Sequence, residues 1–390
     1  MSWPLVNLST ICQIDMGSAP KGSTYVELDS GVPLIAGAAD YGDVFPRPKK
    51  ATLEPTKLCK KGDIIICVRA TIGDLNWADK EYCLGRGVAG LRAHDEKLDS
   101  KYLWYFIASI EDELYRNSTG STFPQINKKV IESLEIPLPP LKKQKQIAAA
   151  LEKADQLRKD CQQMEQELNS LAQSVFIDMF GDPLTNPKGW DKRPLLELVA
   201  DKDDIKCGPF GTQLGKSEFT TEGVPLWGIK HVNSGFEKPT VEYVSHEKAL
   251  DLKAYSIAGG DIVMTRKGNV GNCYIYPDNL QSGIMHSDLL RIRPCNSTVS
   301  ASFLQKQFMY SKDVEGQLKL ISQGAIMAGI NVTKLKSLML LSPPLEEQKE
   351  YEKFLSEVET NKITLAHKLS ESNNMFNALM QKAFKGELNL

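Results

Sequence analysis

"IPLPPLKKQKQIAAALEKA" spans residues 136–154 and "LLSPPLEEQKEYEKFLSEVET" spans residues 340–360. Each has a diproline, a leucine, two charged residues and then Gln-Lys. Pro139 and Pro343, Leu141 and Leu345, and Gln144 and Gln348 each lie 204 residues apart, about half of the 390-residue chain. A constant spacing of that size marks an internal repeat. Proline fixes φ and has no donor, so it ends what precedes it and sits readily at the first turn of a helix. In both copies it is expected to turn the last strand of a domain into a long helix.

Upstream matches keep the same order. "GDIIICVRATIG" (62–73) aligns with "GDIVMTRKGNVG" (260–271), which sets Arg69 against Lys267 and Thr71 against Asn269. "GVPLI" (31–35) aligns with "GVPLW" (223–227), and "WPLVNLSTI" (3–11) loosely with "WDKRPLLELV" (190–199). The offset drifts from 192 through 198 to 204, as insertions in loops between fixed elements would produce. Four matches in one order indicate a duplication. Each front part consists of short Val-, Ile- and Tyr-rich runs bounded by Gly, Pro, Asn and Asp, the pattern of strands. Helices are expected at "SKYLWYFIASIEDELYR" (100–116) and "SASFLQKQFMYSKDVEGQL" (300–318).

The rear parts are helical. In the first, apolar residues recur at Ile147, Leu151, Ala154, Leu157, Cys161, Met164, Leu168, Leu171, Val175 and Met179, in steps of three and four. In the second they fall at Tyr351, Leu355, Val358, Leu365, Leu369, Phe376, Leu379 and Ala383, interrupted by Lys362 and Ser372. Gly181 and Gly386 are the stops. Each helix is expected to be ~40 residues, or ~60 Å, long. A narrow apolar stripe of this kind needs a partner, and the other copy supplies it. Connectivity then requires the two helices to run antiparallel.

The fold expectation is therefore α+β. Two domains of mixed strand and helix content are separated by two long antiparallel, coiled-coil-like helices, with an internal pseudo-two-fold repeat. The divisions are a first domain at 1–140, a long helix at 141–185, a second domain at 186–342 and a second long helix at 343–390.

Composition narrows the function. Apolar residues make up 42% and charged residues 25% of the chain, which is globular rather than disordered. The net charge of −2 gives no global basic footprint for nucleic acid. Only residues 186–342 are positive, with 19 Lys and Arg against 16 Asp and Glu, so bulk charge argues mildly against nucleic-acid binding and any such surface has to be a local patch. Eight scattered cysteines without a Cys-x-x-Cys pair argue against a disulfide framework or a zinc site. No signal peptide and no membrane-spanning run is apparent, and a cytoplasmic location is expected. "GRGVAG" (85–90) fits G-x-G-x-x-G but opens no apolar helix, which a dinucleotide site requires. No Walker lysine motif or spaced nuclease carboxylates are present, so catalysis is not expected, and neither is a bound metal.

The blocks "GDIIICVRATIG…GVAGLR" and "STGSTFPQINKKVIESLEIPLPPLKKQKQIAAAL", with their second copies, resemble the specificity subunit of type I restriction-modification systems over essentially the whole chain. The resemblance implies a subunit that reads a split DNA target and has no catalysis of its own. It implies docking of two adenine-N6 methyltransferase (modification) subunits and, in the larger complex, a translocating restriction subunit. No cofactor is expected on this chain, since S-adenosylmethionine belongs to the methyltransferase partner. DNA contacts are implied at Arg69 and Thr71, Lys267 and Asn269, and in the polar loops at Ser121, Thr122, Gln125 and Asn127 and at Gln323 and Asn331. Arg86, Lys230 and Arg266 are added to these. Arg or Lys pairs with guanine N7 and O6, Asn or Gln with adenine N7 and N6, and small hydroxyls with phosphate. Competing readings stand beside these: a solvated face or an internal salt bridge for Arg69 or Lys267, and ordinary turn caps for the Asn and Gln loops. For the whole chain, the rivals are a stand-alone DNA-modifying enzyme and a coiled-coil protein-interaction scaffold.

Overall fold

The computed structural model of the chain describes residues 3–120, 124–268, 270–322 and 329–388. These divide into two units, one of residues 1–163 with 365–390 and the other of residues 164–364. In the first, "GDIIIC" forms the strand Ile64–Cys67 of a four-stranded antiparallel sheet. Its order is Cys12–Met16, Val88–Ala93, Ile64–Cys67, Leu75–Trp77. In the second, "GDIVMT" forms Ile262–Thr265 in the order Ile205–Cys207, Leu289–Ile292, Ile262–Thr265, Cys273–Ile275. A second sheet in each unit contains one parallel pair. Val32–Ile35 runs beside Tyr82–Leu84, and Val224–Trp227 beside Gly283–Met285. Leu5–Asn7 pairs with Glu135–Pro137, and Lys192–Pro194 with Met339–Leu341, so each domain's start is tied to its end.

The repeated Gly-Asp has a physical reason. Asp63 accepts from Lys60 N (2.7 Å) and forms a two-pronged ion pair with Arg92 (2.8 and 2.6 Å). Asp261 accepts from Ala258 N (2.9 Å) and pairs the same way with Arg293 (2.7 and 2.7 Å). Both carboxylates are buried. Each therefore closes the turn before its strand and fastens the strand to its neighbour, work that needs an acceptor-only side chain with two oxygens.

The repeated Pro-Pro-Leu-x-x-Gln is explained in the same way. Helices run Leu141–Phe180 and Leu345–Lys385. Gln144, fully buried, donates to Pro139 O (2.8 Å) and Lys97 O (2.9 Å) and accepts from Asp99 N (2.9 Å). Gln348 donates to Pro343 O (2.8 Å) and accepts from Ser300 N (2.9 Å). One amide thus satisfies a diproline carbonyl and the N-cap residue of the helix Ser100–Ser109 or Ala301–Tyr310. That bond sets the direction in which each long helix leaves its domain.

The helices pair antiparallel. The Arg158 guanidinium lies over the Phe376 ring (4.5 Å) in the first unit, and Tyr351 donates to Ala172 O (2.9 Å) in the second. Ile147, Leu151, Ala154, Tyr351, Leu355, Val358, Leu365 and Phe376 are buried, while Cys161, Leu168, Leu369 and Leu379 are half-buried. The expected stripe needs correction on the first helix. Leu157, Met164 and Leu171 are 44%, 52% and 46% exposed, and Val175 and Met179 are only half-buried. Ala172, Phe176 and Phe180 are buried in their place. A straight α-helix drifts ~20° per heptad from a strict 3.5-residue repeat, so steps counted from Ile147 land on the wrong face by the third heptad. The partner of the stripe is also broader than a second helix. Phe176 stacks on Phe303 of the domain helix and Phe180 meets it edge-on, both meet Tyr351 edge-on, and Phe384 meets Tyr102 and Phe106.

No helix among the described residues is long and apolar enough to cross a membrane. All eight cysteines are free thiols, and burial pushes those of Cys12, Cys59 and Cys273 up to about 12.

Candidate nucleic-acid interface

In each unit the central strand ends at a turn that a later loop crosses. In the first, Ala70 N donates to Pro124 O (3.1 Å), Ile126 N donates to Val68 O (3.0 Å), and Arg69 bridges Gln125 in antiparallel fashion. A third segment closes the floor, with Val68 N donating to Gly87 O (2.9 Å) and Gly17 N to Val88 O (3.0 Å). The result is a cleft of about 280 Å³ whose polar lining includes Arg69, Arg86, Thr119, Gln125, Asn127 and Lys128. Four residues expected from sequence, Arg69, Arg86, Gln125 and Asn127, meet there. Thr71 is exposed on the next turn, outside the lining. Ser121 and Thr122 lie outside the described residues.

Close approach explains the glycines. A Cβ on Gly17 would stand 2.1 Å from Gly85 O, and one on Gly87 would stand 2.1 Å from Ala36 O. Only bare backbone fits, which leaves the floor open to Arg86. Arg69 and Arg86 are exposed and carry no ion pair among the described residues. Asn127 has a second duty, since its side chain accepts from Val130 N (3.2 Å) and caps the helix Lys128–Glu132.

The second unit repeats three of these bonds. Arg266 N donates to Asp288 O (2.8 Å), Ile330 N to Arg266 O (3.3 Å) and Gly208 N to Leu289 O (3.0 Å). Its lining differs. Arg266 takes the place of Val68 and spends its guanidinium on Ile330 O (3.2 Å) and Ser287 O (3.4 Å) beside the exposed Phe210 ring. Lys267, the counterpart of Arg69, lies 2.6 Å from Asp288 Oδ1, and His286 Nδ1 lies 3.3 Å from Asp288 Oδ2. Burial pushes the Asp288 carboxyl up, but Lys267, His286 and Arg266 outweigh it and hold the group below its ordinary range. Lys267 is thus internally paired rather than presented bare, and Arg266 is a strut. Asn331 caps the helix Val332–Lys336 by accepting from Lys334 N (3.1 Å). Lys230 is exposed in the first turn of Ile229–Asn233, after the strand whose Trp227 O accepts from His286 N (2.8 Å). Asn269 and Gln323 lie outside the described residues.

Sequence reasoning missed Gly17, Thr119 and Lys128 in one cleft, and Phe210, His286, Ser287 and Asp288 in the other. Aligning 84–92 with 285–293 on the shared Arg92 and Arg293 would have found the last three.

No cluster of three or more His, Cys, Asp or Glu side chains suited to a metal occurs among the described residues. Fold and lining together define a tandem recognition protein: two α+β domains with the same frame at the end of the central strand, which in the first lines a small polar cleft, joined to a helical pair. A family model, the type I restriction modification DNA specificity domain, matches residues 2–170 and 187–372. The chain belongs to the family of type I restriction-modification DNA specificity subunits. A putative type I restriction enzyme MjaX specificity subunit of Methanocaldococcus jannaschii is 38% identical over 169 residues, 42% of this chain and 40% of that protein. The EcoBI specificity subunit of Escherichia coli is 21% identical across 99% of this chain and 86% of its own length. Among solved structures, the type I S subunit of M. genitalium overlays with a TM-score of 0.60 at 15% identity, covering 98% of this chain and 96% of that one. A chain from a study of complex assembly and conformational transition in the type I R-M system gives 0.63 at 19% identity, covering 99% and 98%. At these identities the overlays speak to the fold.

Proposed function

We propose that this chain is the DNA-reading, non-catalytic subunit of a cytoplasmic type I restriction-modification assembly. Each domain reads one block of a split double-stranded target. The helix pair docks two adenine-N6 methyltransferase subunits and, in the larger assembly, restriction subunits. S-adenosylmethionine is bound by the methyltransferase and not by this chain. One observation carries the reading: the duplication repeats the same strand-end frame, on three matching backbone bonds, with different side chains around it in each copy. An enzyme has no need of two such frames, whereas a reader of two different blocks does. Base edges are distinguished by donor and acceptor pattern, and the first cleft holds guanidinium and amide groups of the kinds that read them.

The test is selection from a randomised duplex library by the full chain co-purified with its methyltransferase. Two short constant blocks around an unread gap are expected. A single contiguous block, or no enrichment, overturns the reading. Incubating the chain alone with methyl-labelled S-adenosylmethionine and DNA should give no incorporation, and labelled DNA would favour a modifying enzyme instead.

A further inference from the structure

Position 288 is where the two recognition frames diverge most in chemistry. Gly87 and Asp288 occupy one place, each accepting through its carbonyl from the residue that follows the central strand, Val68 or Arg266. In the first domain the Ala36 carbonyl fills the space that a side chain at Gly87 would need. In the second domain Asp288 carries a carboxylate, set among Arg266, Lys267 and His286. The basic side chains around it are committed. Arg266 bonds two backbone carbonyls, and Lys267 and His286 stand against the carboxylate itself.

A cleft built to hold phosphate would not place a carboxylate among its cations. A carboxylate is acceptor-only, with room for about four hydrogen bonds. Asp288 Oδ1 is buried against Lys267, while the side chain as a whole stays 25% exposed, so the acceptor capacity left for a ligand is on Oδ2. A partly exposed acceptor held ionised, on a frame that elsewhere presents guanidinium donors, suits a donor on a base edge. In the major groove the donors are the exocyclic amino groups, cytosine N4 and adenine N6; guanine and thymine present acceptors to that position.

We propose that Asp288 is a specificity-determining residue of the second recognition domain. Its carboxylate accepts from cytosine N4 or adenine N6 in the half-site read by residues 186–342 and repels guanine O6 or thymine O4 there. The inference rests on the split-target reading above and adds the chemistry of one position. Lys267 and His286 are positioning residues, since they hold the carboxylate ionised and aimed.

The full chain with its methyltransferase is put through the randomised-library selection as wild type, D288N and D288A. D288N keeps the shape and part of the hydrogen bonding, so a folded variant is in hand if D288A fails to fold. In wild type, one position of the second block is expected to be cytosine or adenine. D288A should lower that preference by at least about tenfold, the size of one well-made base contact. D288N, whose amide accepts through Oδ1 but also donates, should lose the bias against guanine and thymine at that position. The first block should not change. A second block that still excludes guanine and thymine in D288N, or a wild-type second block with no position favouring cytosine or adenine, overturns the assignment and leaves the split-target reading intact. A wild-type selection without two blocks overturns both.

Discussion

Residues 84–92 and 285–293 hold one position in their respective domains, yet the first presents Gly85, Arg86 and Gly87 and the second His286, Ser287 and Asp288. The first cleft is cationic and bare, its arginines without ion pairs among the described residues. The second carries its own counter-charge, with Lys267 on Asp288 and Arg266 on backbone carbonyls. Under both lies the same scaffold of strand order, Asp–Arg pair and glutamine clasp. Duplication has preserved what the backbone needs and released what faces outward. That separation is what a protein reading two unlike blocks requires.

The sharpest way to break the shared scaffold is at its ion pairs. D63A or D261A strands an arginine and leaves the N–H of Lys60 or Ala258 without its partner. Breaking a buried pair from one side costs about 3 kcal/mol, the lower end of the usual range because Arg92 and Arg293 are partly exposed. Urea titrations should show both variants destabilised to a similar extent. A large effect in one and none in the other would mean that the motif is shared in sequence but not in duty. Next come Q144A and Q348A. Each removes a buried amide that clasps a diproline carbonyl, for a loss of about 1–3 kcal/mol apiece. Near-native melting of either variant would show that the long helices leave their domains without the clasp.

The outward-facing half of the comparison is tested by R69A and K267A. Arg69 is exposed and free of ion pairs among the described residues, so its loss should weaken binding to a matching split target by about 1–3 kcal/mol and relax only the first block. Lys267 is already matched by Asp288, so K267A should cost less and reduce the salt dependence of binding less than R69A does. Titration by fluorescence anisotropy at two salt concentrations measures both. Equal losses would show that the ion pair opens on DNA and that the two clefts work alike.

The duplication was legible from sequence because its markers do chemistry that few residues can do. An aspartate both closes a turn and grips an arginine, and a glutamine both donates to proline and accepts from a helix start. The cleft was half legible. Arg69 stands on a segment that the repeat had singled out and Gln125 on a loop that the family resemblance implied, and the fold brings them together as bridge partners. Asp288 was not, because it lies opposite a glycine and its partner Lys267 is 21 residues upstream, so nothing local marks the pair. The rotation of the first helix was not legible either. The choice of Phe176 over Val175 depends on the aromatic cluster of Phe303, Tyr310 and Tyr351, which a count along one helix does not contain.

The smallest effect sits at the turn itself. The cleft turn needs a residue with positive φ. The second domain uses Gly268 (φ 72°), while the first uses Ala70 (φ 63°), whose Cβ crowds the following carbonyl. That conformation costs a non-glycine residue roughly 1–2 kcal/mol. Glycine removes the strain but adds freedom to the unfolded chain, a counter-term of about 0.4–1 kcal/mol. A70G should therefore stabilise the protein by about 0–1.6 kcal/mol, raising its melting temperature slightly. The strain is held by Tyr115, which donates to Ala70 O (3.2 Å), and by Ala70 N on Pro124 O, so the turn is fixed from both sides. If that rigidity serves to aim Arg69, A70G will bind the first block more weakly while melting higher, and G268A will do the reverse in the second domain. If stability and binding rise together in A70G, the alanine is only a residue that drift has left in an unfavourable place.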